Sequence, residues 1–171
     1  MKKILITGKN SYIGTSLENW LMREPDNYKV DTVDMKDGSW KEVDFSSYDI
    51  VFHVAAVVHQ KEQPEMKELY FKVNRDLPVE VAKKAKEAGV SQFIFMSTMA
   101  VYGEEGKLGQ EVVINSNTPV NPKTFYGVSK VEAETELDKL NDESFRVVVL
   151  RPPMVYGPNC PGNYARLEKL A

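Results

Sequence analysis

The chain has 171 residues, 42% hydrophobic and 27% charged, which suits one domain with a buried core and excludes a disordered chain. Its 22 basic and 25 acidic side chains leave a net charge of −3, which offers a polyanion nothing and excludes nucleic acid as an expected partner. The longest apolar run, Ile50 to Val58, is broken by His53 and is too short to cross a bilayer, and the two lysines after Met1 lead into only Ile4, Leu5 and Ile6, so neither a membrane span nor a secretory leader is expected.

Cys160 is the single cysteine. It excludes an internal disulfide, suits a reducing cytoplasmic setting, and has no cationic cluster beside it to make the thiol reactive. No metal site is expected.

Short β-rich runs alternate with amphipathic stretches, which predicts βαβ units and a doubly wound parallel sheet of about six strands between two helical layers. Lys3–Thr7 is the first predicted strand, ending at Gly8, and Tyr12–Met22 the first helix, stopped before Pro25. Lys29–Val33 predicts a second strand, Lys41–Val43 a short one, and Val51–Ala56 a strand covered on both faces. Glu65–Ala88 is helical in composition, with Pro78 marking a kink or break and Gly89 a stop. Gln92–Ser97 is the next strand. Gly103–Pro122 is mostly polar, with three glycines and two prolines, and a connection of that length is usually functional. Lys123–Leu140 predicts a helix and Phe145–Leu150 a strand. The chain ends inside a predicted helix, Tyr164–Leu170, so it is expected to be part of a longer protein. The expected division is one domain over 1–158 and the start of a further region over 159–171.

Chemistry concentrates at strand ends. Thr7-Gly8-Lys9-Asn10-Ser11-Tyr12-Ile13-Gly14 runs from a strand through small residues into a helix, which aims helix N-terminal N–H groups at a pyrophosphate. Gly8 permits the tight turn and Gly14 the close approach of helix to strand. Asp34 ends the second strand, where a carboxylate accepts hydrogen bonds from ribose hydroxyls and repels a 2′-phosphate, favouring NAD over NADP. Lys9 and Lys36 leave NADP open. Asp44 with Phe45 is a candidate adenine contact, and Ala55-Ala56 are small enough for a ribose to lie near the backbone.

Tyr126 and Lys130, four residues apart, share one face of a predicted helix. An ammonium near a phenol favours the phenolate, so this pair is a candidate acid/base. Ser97 and Thr98 end the preceding strand, at the sheet edge where open α/β folds bind ligands.

These segments together resemble the extended short-chain dehydrogenase/reductase group, the NAD-dependent epimerase/dehydratase family. Gly8 to Gly14 looks like its glycine turn, Asp34 like its ribose acid, Asp44-Phe45 like its adenine contact, and Asp49 to Ala56 like its next cofactor strand. Val73-Asn74, the run Met96 to Gly103, the Tyr126/Lys130 pair and the run Leu150 to Pro158 follow in the family's order. The resemblance implies a Rossmann fold, NAD as cofactor and a nucleotide-sugar as substrate. It implies Tyr126 as acid/base, Lys130 as a ribose ligand that lowers the phenol pKa, Thr98 rather than Ser97 as the hydroxyl partner, Pro153 beside nicotinamide and Asn163 against the substrate's diphosphate. It also implies a homodimer through the helices of 65–88 and 123–140.

Two departures bear on activity. Ser11 stands where the family has its middle glycine. Met99 and Ala100 follow Thr98 where the 4,6-dehydratases carry an acidic pair, which disfavours dehydration. A 4-epimerase is the leading expectation, with a 4-keto-sugar reductase, or an NAD-binding fragment without turnover, as alternatives.

Overall fold

The structure is a computed structural model and describes residues 1–58, 62–103, 109 and 111–161. The strands are β1 Lys2–Thr7, β2 Tyr28–Val33, β3 Ile50–His53, β4 Gln92–Met96 and β5 Arg146–Leu150, all parallel, in the order β2-β1-β3-β4-β5. The described residues therefore hold five strands where about six were expected. The missing one is Lys41–Val43. Ser39–Glu42 forms a 3₁₀ turn instead, entered through Gly38 at φ 79° and anchored by the buried Trp40. The third expected strand is also shorter, because Val54 and Ala55 leave the ladder and both donate to the carbonyl of Thr7, at 3.0 and 3.1 Å.

The α-helices are α1 Tyr12–Leu21, α2 Lys67–Phe71, α3 Leu77–Glu87 and α4 Phe125–Asp138. The expected break at Pro78 is real but spread out. A π-helical turn, Lys72–Asp76, joins α2 to α3, so the proline falls in the first turn of α3, where its missing N–H costs no helix bond. Between Gly103 and Pro122 the described residues form no helix or strand.

Alternation along the strands separates two cores. Leu5, Val51, Phe93 and Phe95 point to one face and pack with Val81, Ala82 and Ala85 of α3 and Ala133 and Leu137 of α4. Ile4, Ile6 and Phe52 point to the other and meet Ile13, Leu17 and Leu21 of α1. Between β1 and β3 successive connections leave in opposite directions, which opens a crevice at the carboxyl ends of these two strands.

Candidate active site

A cleft of about 2030 Å³ occupies that crevice. It exceeds the ~300–1,000 Å³ of an ordinary small-molecule pocket, giving room for a dinucleotide beside a second ligand. Gly8, Asn10, Ser11, Tyr12, Ile13, Asp34, Ala55 and Ala56 line one end; Thr98, Tyr126, Lys130 and Pro153 line the other.

The first end is made from a turn. Gly8 lies at φ 124°, and its N–H and that of Lys9 both donate to the Val33 carbonyl at 3.0 Å, pinning the turn to the end of β2. A Cβ on Gly8 would stand 2.8 Å from Val54 Cγ2 and 3.0 Å from the Ala55 nitrogen. Asn10 takes a left-handed conformation at φ 64°, which asparagine tolerates better than most residues. Ser11 caps α1, its Oγ accepting from the Gly14 N–H at 3.1 Å. The serine that replaces a glycine thus starts the helix and keeps its own O–H to donate. A Cβ on Gly14 would meet Ser11 Oγ at 2.6 Å and Ile6 Cγ2 at 3.2 Å, so helix and strand are as close as expected. The positive end of the α1 dipole opens on this wall.

Asp34 lies at the end of β2 in the cavity wall, its carboxylate accepting from the Lys36 N–H at 2.9 Å. Asp44 and Phe45 do not line the cavity. The Asp44 carboxylate accepts from the N–H and Oγ of Ser46, both at 2.9 Å, and Phe45 is buried in the core.

The second end is made from long-range contacts. Thr98 Oγ1 accepts from the Ala100 N–H at 3.1 Å, and its hydroxyl is near enough to the Tyr126 phenol to draw the phenol pKa down. Gly127 permits this approach, because a Cβ there would stand 2.9 Å from the Ala100 carbonyl oxygen and 3.0 Å from Pro122 Cβ. Ser97, the rejected alternative, is turned elsewhere: its hydroxyl donates to the buried Glu134 carboxylate.

Lys130 is 1% exposed; its Nζ donates to the Met96 carbonyl at 2.8 Å, 4.5 Å from the centre of the Phe95 ring and 6.0 Å from that of Tyr126. Burial pushes the ammonium down to about 7, against the opposing pull of Glu134. The expectation that Lys130 lowers the phenol pKa is not met here. Burial raises the Tyr126 phenol above its ordinary value, and the nearby Thr98 hydroxyl only partly offsets it. Lys130 serves the end of β4 instead of the phenol.

Four further residues belong to this end. Glu134, one helical turn beyond Lys130, binds Arg151 through Nε at 3.1 Å and Nη2 at 2.5 Å, and Arg151 donates to the Tyr102 hydroxyl at 2.7 Å. Asn74, fully buried in the π turn, holds Val57 through both backbone groups at 2.8 and 3.1 Å and reaches Ser129 at 3.4 Å. Glu62 binds the start of α4, and His53 lies fully buried beneath the cavity. The spacing of Lys130 and Glu134 was a legible sign of a shared helix face; nothing local marked Glu62. Asn163 lies outside the described residues. Cys160 is buried, its Sγ 3.2 Å from the Val155 carbonyl. Among the described residues no cluster of His, Cys, Asp and Glu could hold a metal, and no helix is long and apolar enough to cross a membrane.

The parallel sheet, its crevice and the helix N-terminus at the first βα turn define a Rossmann-like α/β fold. The chain belongs to the NAD dependent epimerase/dehydratase family, whose model matches residues 4–170. It is 33% identical over 187 residues to the UDP-glucose 4-epimerase of Vibrio cholerae, covering 99% of this chain and 56% of the relative. It is 34% identical over 136 residues to the dTDP-D-glucose 4,6-dehydratase of Mus musculus, covering 78% of this chain and 37% of that enzyme. The fold is shared with the UDP-glucuronic acid 4-epimerase of Bacillus cereus in complex with NAD, at a TM-score of 0.76, 23% identity, and coverage of 92% of this chain and 58% of that one. It is shared as well with a dTDP-4-dehydrorhamnose reductase of Clostridium acetobutylicum, at 0.74, 24% identity, and coverage of 98% and 59%. The chain thus spans little more than half the length of the Vibrio relative.

Proposed function

We propose that this chain is the NAD-binding, catalytic portion of a nucleotide-sugar 4-epimerase that works through a 4-keto sugar. The observation that carries the reading is the meeting of Thr98, Tyr126 and Lys130 in the wall of the cavity that the α1 N-terminus also opens on.

The residues present fit NAD. The turn Gly8 to Gly14 would hold the pyrophosphate, Asp34 the adenine ribose, and Ala55 and Ala56 would let the chain pass close to the sugar. Lys130 and Pro153 would flank the nicotinamide half. Asp44 and Phe45, which do not line the cavity, are left out of this set. NAD, when bound, supplies the acceptor for a hydride from the sugar carbon and the donor for its return.

The protein's own part is the proton. Tyr126 takes it from the sugar hydroxyl as the carbonyl forms and gives it back on the return. Thr98, with one lone pair already accepting from Ala100, has its O–H left to steady the phenol oxygen or the sugar oxygen. Lys130 favours the phenolate only if its ammonium leaves the Met96 carbonyl and turns towards Tyr126. Met99 and Ala100, both in the cavity wall, supply no carboxylate for eliminating water, which supports epimerisation over dehydration.

The test uses the protein carried to the length of its relatives. Tyr126→Phe should leave the NAD dissociation constant nearly unchanged and lower kcat with a nucleotide-sugar by about 10²–10⁴-fold, the ordinary worth of general acid–base catalysis. Turnover at the parental rate would overturn the mechanism. Net consumption of NADH on a 4-keto sugar would instead make the chain part of a reductase, and NAD binding with no turnover a binding module.

A further inference from the structure

The cavity holds two neighbouring phenols. The rings of Tyr70 and Tyr126 meet edge to face with centroids 6.5 Å apart, and both residues line the cleft. Between them and the start of α4 lies Glu62. Its two carboxylate oxygens accept separately from the Phe125 and Tyr126 N–H groups, each at 2.9 Å.

A helix leaves its first N–H groups without intrahelical acceptors. In α4 the Gly127 N–H goes to the Thr124 side chain at 3.0 Å and the Val128 N–H to the Thr124 carbonyl at 2.9 Å. The other two are bound from outside, by a residue 63 and 64 positions earlier in the chain. A carboxylate at a helix N-terminus is favoured by the dipole and makes charge-assisted hydrogen bonds. Glu62 follows the segment that carries Ala55, Ala56 and Val57, and that segment is tied to α4 a second time through Asn74 and Ser129. The wall beneath the expected cofactor is thus fastened at two points to the helix that carries Tyr126.

Resting on the reading of Tyr126 as the acid/base, we propose that Glu62 is a positioning residue. It fixes the first turn of α4, and with it the place of the Tyr126 ring against Tyr70 and beside Thr98 in the cavity wall. Both carboxylate oxygens are committed to backbone N–H groups, so Glu62 acts through Tyr126 and is not itself a proton carrier. Burial first, and then the Glu62 charge, raise the Tyr70 phenol above its ordinary value.

The experiment needs only this chain. Glu62→Gln and Glu62→Ala are compared with the parent by amide hydrogen exchange and by carbon NMR titration of ring-labelled tyrosines, assigned with Tyr70→Phe and Tyr126→Phe. In Glu62→Ala the Phe125 and Tyr126 amides should exchange roughly fivefold or more faster, the loss expected for one helix cap. The Tyr126 phenol titration should shift as the first turn loosens, and Tyr70 should titrate lower as the charge is lost. Glu62→Gln, nearly isosteric, should recover part of the amide protection but leave Tyr70 lowered, and it keeps the test decisive if Glu62→Ala fails to fold. Faster exchange with an unmoved Tyr126 titration would make Glu62 a structural cap and overturn the proposal; so would unchanged exchange. NAD titration of the same samples separates the two readings. A parent chain that binds no NAD would sink the proposed function while the phenol titrations still decide on Glu62.

Discussion

The two ends of the cavity are built differently. At the Gly8 end the shape comes from neighbours in the chain: a glycine with positive φ, an asparagine in the left-handed region, and a serine capping the helix three residues before the glycine it serves. At the Tyr126 end almost every contact joins residues far apart. Lys130 to Met96 spans 34 positions, Ser97 to Glu134 spans 37, and Glu62 to Tyr126 spans 64. The Gly8 end leans on β2 through Val33 and on the end of β3 at Val54 and Ala55, but on neither β4 nor β5. The distant end exists only when β4, β5 and α4 are all in place. Binding of a dinucleotide should therefore tolerate damage that ruins the placement of the acid/base.

The largest effect on stability should come from the distant end. Glu134→Ala removes the partner of Arg151 and the acceptor of Ser97 together. Breaking a buried pair this way costs ~3–5 kcal/mol, and about 3 is expected here because the Arg151 side chain keeps a third of its surface in water. Urea unfolding measures it, and a loss below about 1 kcal/mol would mean that the network contributes little.

Gly8→Ala attacks the other end. The new Cβ would press on Val54 and the Ala55 backbone at an unfavourable φ, costing ~1–3 kcal/mol. NAD affinity should fall with it, while Tyr126 keeps its place beside Thr98. A variant that binds NAD as the parent does would show that the turn yields more readily than its contacts imply.

His53 lies beneath the seam between the two ends. Its Nδ1 is 2.7 Å from the Thr7 hydroxyl, its ring stacks between Phe93 and Phe95, and its Nε2 has no partner among the described residues. Burial first, and then the charge of Lys130, push its pKa from 6.5 down to about 3. With the folded pKa depressed, the unfolded chain binds the proton more tightly. The stabilisation is thus whole above 6.5 and drains away as pH falls towards about 3. His53→Asn should flatten the pH dependence of urea unfolding in that window, and equal slopes for both proteins would refute the assignment.

The smallest effect should be at Asp34, in the cavity wall. Asp34→Asn keeps the turn acceptor for Lys36 but loses the charge, so the preference for NAD over NADP should shrink by about tenfold. Calorimetric titration of both cofactors measures it, and a preference for NADP in the parent would point to Lys9 or Lys36 instead.

Much of this molecule was legible before any coordinates. The five strands that form, the helix after Gly8 and the helix under Tyr126 all follow from apolar periodicity and stop signals. Lys41–Val43 misled because Val43 beside Lys41 imitates a short strand, while Trp40 gains more by entering the core through a 3₁₀ turn. Phe45, expected in a cofactor motif, likewise lies in the core, where its apolar side chain is buried.

The sequence by itself determined the order of elements, the glycine turn, and the pairing of Tyr126 with Lys130 on one helix face, because these depend on spacings of a few residues and on the fixed periods of strand and helix. Only the tertiary structure decided how those residues are charged and held. Lys130 rests on Met96, Tyr126 is raised by burial, Ser97 turns to Glu134 and Glu62 closes the end of α4. Desolvation and long-range hydrogen bonds have no period, so no local pattern announces them.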